Sequence, residues 1–458
     1  MTTSPRLDEL VQPDSTEPPA GSAVQRSMST LMSAIHIAVD ATAHNGSVSR
    51  ESVLTSGRPR HSAYVDGREI FSLVREELVS TKREFLFQTY AWQGGHDPER
   101  EILLALQELE RNRRARRARV PVQVRLLIGL SLGCARAVER WLFRQWEPDR
   151  ARGEAAEQRI RALGLDPTLV NVEVAYYPSW LFGNFHCKGF IKDQRAVVFS
   201  GANVQDYDYD DPWCEVAVLA EGDIATAARQ DYVDSWSRSY YSWPLARTKP
   251  LPPVTRGVVW GDRGEVPMLF ASRLARETFV GATGQNPWST SLLAAIRNAG
   301  TRIRLLYPNL TVSEVTRSII DAVHRGVRVE LVLSKGFNQE RLLLPFQEGT
   351  NDAVVRGLLE RLQAQPPAKR DGGSLDLRWY SKDGRIPTEG TGKGASHAKY
   401  ASFDGQVAIV GAGQPDHQSW YHSRENNVVV DCAAATRAWD AKVFEPAFHR
   451  SIRIHGLT

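Results

Sequence analysis

The chain has 458 residues, with 57 Lys or Arg against 53 Asp or Glu and a formal net charge of +4. At about 150 residues per domain, this length predicts two or three domains with room for buried cores, and 42% hydrophobic with 24% charged residues is the composition of a soluble globular protein. Near charge balance excludes a generally basic nucleic-acid binder. Cys134, Cys187, Cys214 and Cys432, with no CxxC pair, exclude a disulfide framework and propose no zinc, and the absence of a run of 18 apolar residues excludes a membrane-spanning helix.

The opening residues, MTTSPRLDELVQPDSTEPPAGS, lack the basic-then-apolar order of a secretory signal. Residues 1–57 are rich in Ser, Thr, Pro and Gly and are expected to be mostly disordered. One stretch inside them differs: Met28, Leu31, Met32, Ile35 and Val39 recur at helical spacing, predicting a short helix docked on the body or, less simply, one that binds a membrane surface or partner. From residue 58 the chain makes the same statement twice. A helix beginning near Val65 precedes a strand at Glu84–Tyr90, a helix over 98–117 and a strand at Val122–Ile128. The second pass runs from a helix near Ser289 through the strand Arg302–Tyr307 and a helix over 313–324 to the strand Val327–Leu333. Strands alternating with helices predict βαβ units. The expectation is an α/β molecule of two pseudo-twofold-related domains, 58–250 and 251–458, each a mixed, largely parallel sheet flanked by helices, with a Pro-rich linker at Lys249–Pro253.

Each copy continues into the same motif. After a strand at Asn171–Tyr176 comes His186-Cys187-Lys188 with Asp193. After a strand at Leu375–Tyr380 comes His397-Ala398-Lys399 with Asp404. Both read HxKxxxxD, and His186 follows Tyr90 by 96 residues while His397 follows Tyr307 by 90. On a strand, His and Lys of HxK share one face and the small apolar Cys187 or Ala398 takes the buried one. A protonated Lys repels a metal but neutralises phosphate oxygen, leaving the imidazole free for chemistry. Downstream lie Ser200-Gly201-Ala202-Asn203 and Gly411-Ala412-Gly413-Gln414, small residues that admit a ligand close to the backbone, each ending in an amide donor. Glu215 and Glu425 then precede β-branched runs and are suited to orient a catalytic His.

These residues resemble the phospholipase D superfamily, whose members carry two such motifs; the likeness covers about residues 60–450. It implies that the two motifs meet across the pseudo-twofold interface in one active site. There one His, assigned as His186, attacks phosphorus to form a phosphohistidine. His397 protonates the departing alcohol and then activates water or an alcohol. Lys188, Lys399, Asn203 and Gln414 stabilise the phosphoryl oxygens; Glu215 and Glu425 orient the histidines; Asp193 and Asp404 hold local structure and charge balance. No metal or other cofactor is implied. Gln414 departs from the family's Asn, and Ser200 from its Gly.

The substrate reading rests on aromatics. Trp180, Leu181, Phe182 and Phe185, on a loop before the first motif, and Trp420 with Tyr421, before Glu425, are suited either to contact a phospholipid at a membrane surface or to pack beneath the sheet. Arg111–Arg119, with six arginines, reads as a lipid- or nucleic-acid-binding patch or a solvated helix end. Asp206-Tyr207-Asp208-Tyr209-Asp210 imitates a calcium loop but has Asp211 where Gly belongs and Ala217 where Glu belongs. The expected activity is hydrolysis of the distal phosphodiester of glycerophospholipids, with transphosphatidylation. Alternatives are a phosphatidyl transferase of the cardiolipin or phosphatidylserine synthase kind, a catalytically silent lipid-binding relative, and a nuclease, which the charge disfavours. No stable protein partner is predicted, and the expected location is cytoplasmic or membrane-peripheral, with signal-less export as an alternative.

Overall fold

The computed structural model describes residues 27–131, 149–179, 182–205, 213–242, 246–252, 265–278, 283–337, 349–367, 372–387 and 394–454. Helix α1 (Thr30–Asp40) is capped by the Ser29 hydroxyl, which accepts from Met32 N at 3.1 Å, and it buries Leu31, Met32, Ile35 and Val39. Strand β1 (Leu54–Val65) follows. Residues 27–57, expected to be mostly disordered, are therefore folded here, because the apolar stripe of α1 is covered by the body of the protein. The expected boundary at residue 58 also falls inside β1.

The first half then runs α2 (Asp66–Val79), β2 (Glu84–Thr89), α3 (Asp97–Ala115), β3 (Val122–Ser131), α4 (Asp149–Ala162), β4 (Val170–Ser179), β5 (Gly189–Lys192), β6 (Ala196–Ser200), β7 (Val216–Glu221), α5 (Asp223–Ser237), β8 (Tyr240–Ser242) and β9 (Ala246–Arg247). The second runs β10 (Val266–Arg273), α6 (Pro287–Asn298), β11 (Arg302–Tyr307), α7 (Ser313–His324), β12 (Arg328–Leu333), α8 (Asn351–Ala364), β13 (Ser374–Trp379), β14 (Tyr400–Phe403), β15 (Val407–Gly411), α9 (His417–Tyr421), β16 (Glu425–Asp431), α10 (Ala433–Trp439), a π-helical turn (Asp440–Phe444), α11 (Glu445–Arg450) and β17 (Ile452–Arg453). No helix among the described residues is long and apolar enough to cross a membrane.

The two halves build matching mixed sheets. In each, three strands are parallel neighbours, β2–β3–β4 and β11–β12–β13. The motif hairpin, β5–β6 or β14–β15, adds antiparallel to β2 or β11, and β7 or β16 continues it. Parallel pairing is thus more restricted than the sequence pattern suggests, because the short loops after Lys192 and Phe403 leave no room for a crossover helix. Strand β1 joins the sheets: Leu54–Gly57 pairs with β10, and Arg58–Val65 with β7. The apolar core is continuous between the halves; Phe199 and Phe270 lie 6.0 Å apart, and α1 packs on α6. The described part of the Pro-rich linker is clamped to α5, where Trp236 Nε1 donates to Lys249 O and Arg229 Nη1 to Pro252 O, each at 3.1 Å.

One buried ion pair fastens the halves beside the motifs. Arg424, immediately before β16, sends its guanidinium to Asp231 at 2.5 Å and Asp234 at 2.7 Å on α5, and both Arg424 and Asp231 side chains are fully buried. Its backbone N–H donates to Asn184 O at 2.7 Å, and its carbonyl accepts from His186 N at 3.0 Å. Removing one partner of such a pair strands the other without solvation. Arg424→Met is expected to cost about 3–5 kcal/mol, read as a fall in the urea midpoint at constant slope.

Candidate active site

Neither HxK tripeptide lies inside a strand. Lys188 ends just before β5 and Lys399 just before β14, because the backbone groups ahead of these strands bond to the opposite half. Phe185 bridges Arg424 and Ser396 bridges Cys214; His186 N donates to Arg424 O and His397 N to Cys214 O, at 3.0 and 2.9 Å. Cys187 and Ala398 are fully buried, on the face expected of them. Gly189, next to Lys188, has φ +122°, and a Cβ there would fall 2.0 Å from Val198 O, so only glycine lets this chain pass onto β6.

The histidines are held crosswise. His186 Nδ1 lies 2.9 and 3.0 Å from the two carboxylate oxygens of Glu425, and His397 Nδ1 bonds to Glu215. Each half therefore supplies the acid that orients the other half's imidazole. A carboxylate at Nδ1 keeps a proton there and leaves Nε2 for chemistry. Glu425 is fixed in turn by the Ser419 hydroxyl, which donates to Oε1 at 2.7 Å. Each lysine folds back on its own motif, Lys188 Nζ to His186 O at 2.9 Å and Lys399 Nζ to His397 O at 2.6 Å. Asn426 clamps the Lys188 backbone, accepting from its N–H and donating to its carbonyl, both at 3.2 Å.

The charges belong to one pocket. Burial pulls the Lys188 ammonium down to about 7, against the opposing pull of Glu425 and with a further push from Lys399. Burial lifts the Glu425 carboxyl to about 8, opposed chiefly by Lys188. His397 is held well below the ordinary imidazole value by burial and by the nearby Lys399, Lys188 and His186. The site thus suppresses its own charges. An anion placed among these groups would restore the lysine proton.

The remaining expected site residues divide. Asp193 and Asp404 lie outside the pocket, at the far ends of β5 and β14, about 17 Å along the strand from the lysines. Each adopts a left-handed φ, 50° and 54°, in a three-residue hairpin loop. Asp193 accepts from the backbone of Lys82, Arg83 and Glu84; Asp404 accepts from Gly300, Thr301 and Arg302. Burial would raise the Asp404 carboxyl, but these N–H groups hold it below the usual carboxylate range. Their role is to fasten the hairpins, not to touch a substrate. Ser200 closes its own turn, accepting from Ala202 N at 3.0 Å, and Gly411 is packed where a Cβ would meet Asn426 O at 2.4 Å. Asn203 uses its carbonyl oxygen on Ala91 N and Thr89 Oγ1, at 3.3 and 3.4 Å. Gln414 does the reverse: its NH2 group donates to Asp416, so this residue is not presented as the expected phosphate donor.

Trp420 is fully buried against Trp288 at 6.2 Å, a core residue and not a substrate contact. Phe182 is half-buried, its ring 5.4 Å from that of His422 and its carbonyl bonded to Gln418. Trp180 and Leu181, the Asp206–Asp210 loop and residues 1–26 lie outside the described residues. The arginine run is far from the site. Helix α3 starts beside the end of β2 nearest His186 and carries the arginine run, which begins at Arg111, about 20 Å or more along its axis, to the Asp193 end of the sheet, where Arg114 pairs with Glu110. Sequence reasoning missed the rings around the imidazoles: Tyr90, 5.6 Å from His186, and Trp213 and Phe337, 4.8 and 5.6 Å from His397. Trp213 sits two residues before Glu215, the one signal that pointed to it.

Residues 292–445 match the family model described as cardiolipin synthase, PLD-like domain. Among solved structures, the phosphatidylserine synthase of Haemophilus influenzae Rd KW20 is similar with a TM-score of 0.61 and 14% identity, over 88% of this chain and 90% of that one. At that identity the likeness is one of fold. Nuc, a phospholipase D family member from Salmonella typhimurium, aligns over 36% of this chain and 89% of its own at 16% identity and a TM-score of 0.26. No curated protein matches.

The charge suppression in the pocket sets a pH dependence for anion binding. Sulfate, which does not titrate near neutrality, should bind with proton uptake above pH 7, because its charge returns the proton to Lys188. Its affinity should fall as pH rises past about 7, approaching tenfold per unit, and ionisation of Glu425 near 8 acts in the same direction. Calorimetric titration in two buffers of different ionisation enthalpy measures both the affinity and the proton.

Proposed function

We propose that the chain is a member of the phospholipase D superfamily, as its match to a PLD-like domain over residues 292–445 supports, and that it cleaves the distal phosphodiester of a glycerophospholipid through a phosphohistidine, passing the phosphatidyl group to water or to an alcohol. The observation that carries this reading is the crosswise pairing, two imidazoles each oriented by the opposite half's glutamate over two buried lysines. One Nε2 attacks phosphorus. The other donates a proton to the leaving alcohol and then takes one from the incoming group, so a single pocket serves both displacements. Lys188 and Lys399 supply positive charge to the non-bridging oxygens as they develop charge. These ammonium groups and histidines account for the chemistry without a metal. The family resemblance assigns the attack to His186 and the acid–base role to His397.

A second assignment of the two histidines is favoured by one observation. His397 is the more enclosed, with its side chain 8% exposed against 17% for His186, and it is held in the neutral form that attack requires. Denaturing quench of the enzyme with phosphate-labelled phospholipid, followed by peptide mapping of the phosphohistidine, decides the question: label on the His186 peptide supports the first assignment, and label on the His397 peptide the second.

Phospholipid is the preferred substrate class for three reasons. The family model matched over residues 292–445 describes a cardiolipin synthase-like domain. The net charge is small. The arginine run is placed away from the pocket, where it cannot track a nucleic acid through the site. Incubation with mixed phospholipid vesicles is expected to release headgroup alcohol, and incubation with single- and double-stranded DNA to leave it intact; DNA cleavage without headgroup release would overturn the reading. His186→Ala and His397→Ala are each expected to lower turnover at least about a thousandfold with an unchanged melting temperature. Substantial activity in either variant would remove the shared-site mechanism.

A further inference from the structure

The end of the first half away from the histidines is a concentrated positive pole. Arg111, Arg113, Arg114, Arg116, Arg117 and Arg119 lie on the last turns of α3 and the loop that leads into β3. These six carry more charge than the net +4 of the whole chain, so the surplus of positive charge is gathered in this one segment. Lys82 and Arg83 stand beside it, since Gln123 N in β3 donates to Arg83 O at 2.8 Å. The neighbouring acids are engaged: Glu110 and Asp166 hold Arg114, at 2.8 and 3.9 Å, and Asp193 accepts from the backbone of Lys82, Arg83 and Glu84. Among the described residues, Arg111, Arg116, Arg117, Arg119, Lys82 and Arg83 are exposed and make no ion pair.

Two features of this loop are not required by folding. Helix α3 closes in a Schellman turn, with Ala118 N bonded to Arg113 O at 3.1 Å and Arg117 N to Arg114 O at 3.0 Å. The left-handed position of that turn is held by Arg117, at φ +52°, where the backbone favours glycine. A long cation stands there at a cost in backbone ease. Beyond it Arg113 donates to Val120 O, and the Val120 side chain is left 71% exposed, which among the described large hydrophobics only Ile37 matches.

We propose that this end of the first half, Arg116–Val120 with Arg111, Lys82 and Arg83 around it, docks the protein on an anionic lipid surface. The docking is independent of the chemistry proposed above. An anionic bilayer satisfies both features of the loop at once. Its headgroup phosphates pair with arginines, whose forked donors grip phosphate oxygens two at a time, and the run contains arginine and no lysine. Its acyl boundary covers Val120. A nucleic acid would take the same arginines but leave the valine in water. The histidine pocket lies at the other end of β2, so the anchor and the site of chemistry are separate parts of the molecule.

The test is flotation of the full chain with vesicles of phosphatidylcholine alone or of phosphatidylcholine with phosphatidylglycerol, in a His397→Ala background so that the lipid is not consumed. The protein should float with the anionic vesicles, stay behind with the neutral ones, and be released by high salt. Arg116→Gln, Arg117→Gln and Arg119→Gln together should lower the partition coefficient about a hundredfold, at about fivefold for each arginine. Val120→Ser should lower it about fivefold. Arg117→Gly should lower it about fivefold while raising the melting temperature, because glycine relieves the left-handed position. Equal flotation with neutral vesicles, or a triple variant that partitions like its parent, overturns the proposal. Retention by duplex DNA at a salt concentration where anionic vesicles fail to hold the protein overturns the choice of lipid. In the chain with both histidines, the triple variant should turn over dispersed short-chain phospholipid at the unaltered rate; a fall there overturns the separation of anchor and pocket. Absence of headgroup release by that chain fails the proposed function alone, and flotation still decides the docking.

Discussion

The structure depends on the exchange of acids between halves. His186 belongs to the first motif but is held by Glu425; His397 belongs to the second but is held by Glu215. Neither imidazole has its orienting carboxylate within its own repeat. The backbone follows the same rule, since His186 N and His397 N both bond to carbonyls of the opposite half. A site of this kind cannot be assembled by one half alone. That requirement explains why so much buried machinery serves the interface: the Arg424–Asp231 pair, the Asn426 clamp on Lys188, and a strand, β1, that is shared by two sheets.

Burial is the second constraint. Two lysines, two glutamates and His397 are nearly excluded from water, and such a set cannot carry its full charge in a medium that solvates ions poorly. The downward pull on Lys188 and the upward push on Glu425 are two expressions of that cost. An anion placed among these groups would favour the charged form of Lys188. The pocket is therefore organised for an anion before one arrives, which is the arrangement that stabilises charge developing on phosphoryl oxygens.

Repetition does not make the halves equal. Asn203 and Gln414 occupy matching positions after β6 and β15, yet Asn203 spends its oxygen on the backbone and Gln414 spends its NH2 on Asp416. Similarly, among the described residues Tyr90 stands by His186, and Trp213 and Phe337 by His397. The common backbone preserves the crosswise pairing, and these side chains make the surroundings of the two histidines differ.

Much of this was legible in the chain itself. The duplicated HxKxxxxD, the alternation of strands and helices, and the small-residue turns before Asn203 and Gln414 are local patterns, dictated by side-chain periodicity and by what fits beside a backbone. Those rules fixed the fold class and the core strands, and they named the histidines and glutamates that the structure brings together. The docked helix within residues 27–57 was legible in the apolar stripe of α1, but the order of the rest of the segment was not, because its partners, α6, Asp431 and β10, lie far along the chain. Nor was the burial of Trp420, which packs against Trp288, or the remoteness of Asp193 and Asp404, whose carboxylates close hairpins at the opposite end of their strands. The sequence named two histidines and two glutamates; only the tertiary structure decided which acid holds which histidine. That choice is made by contacts between residues 182 and 239 positions apart, and no local pattern encodes them.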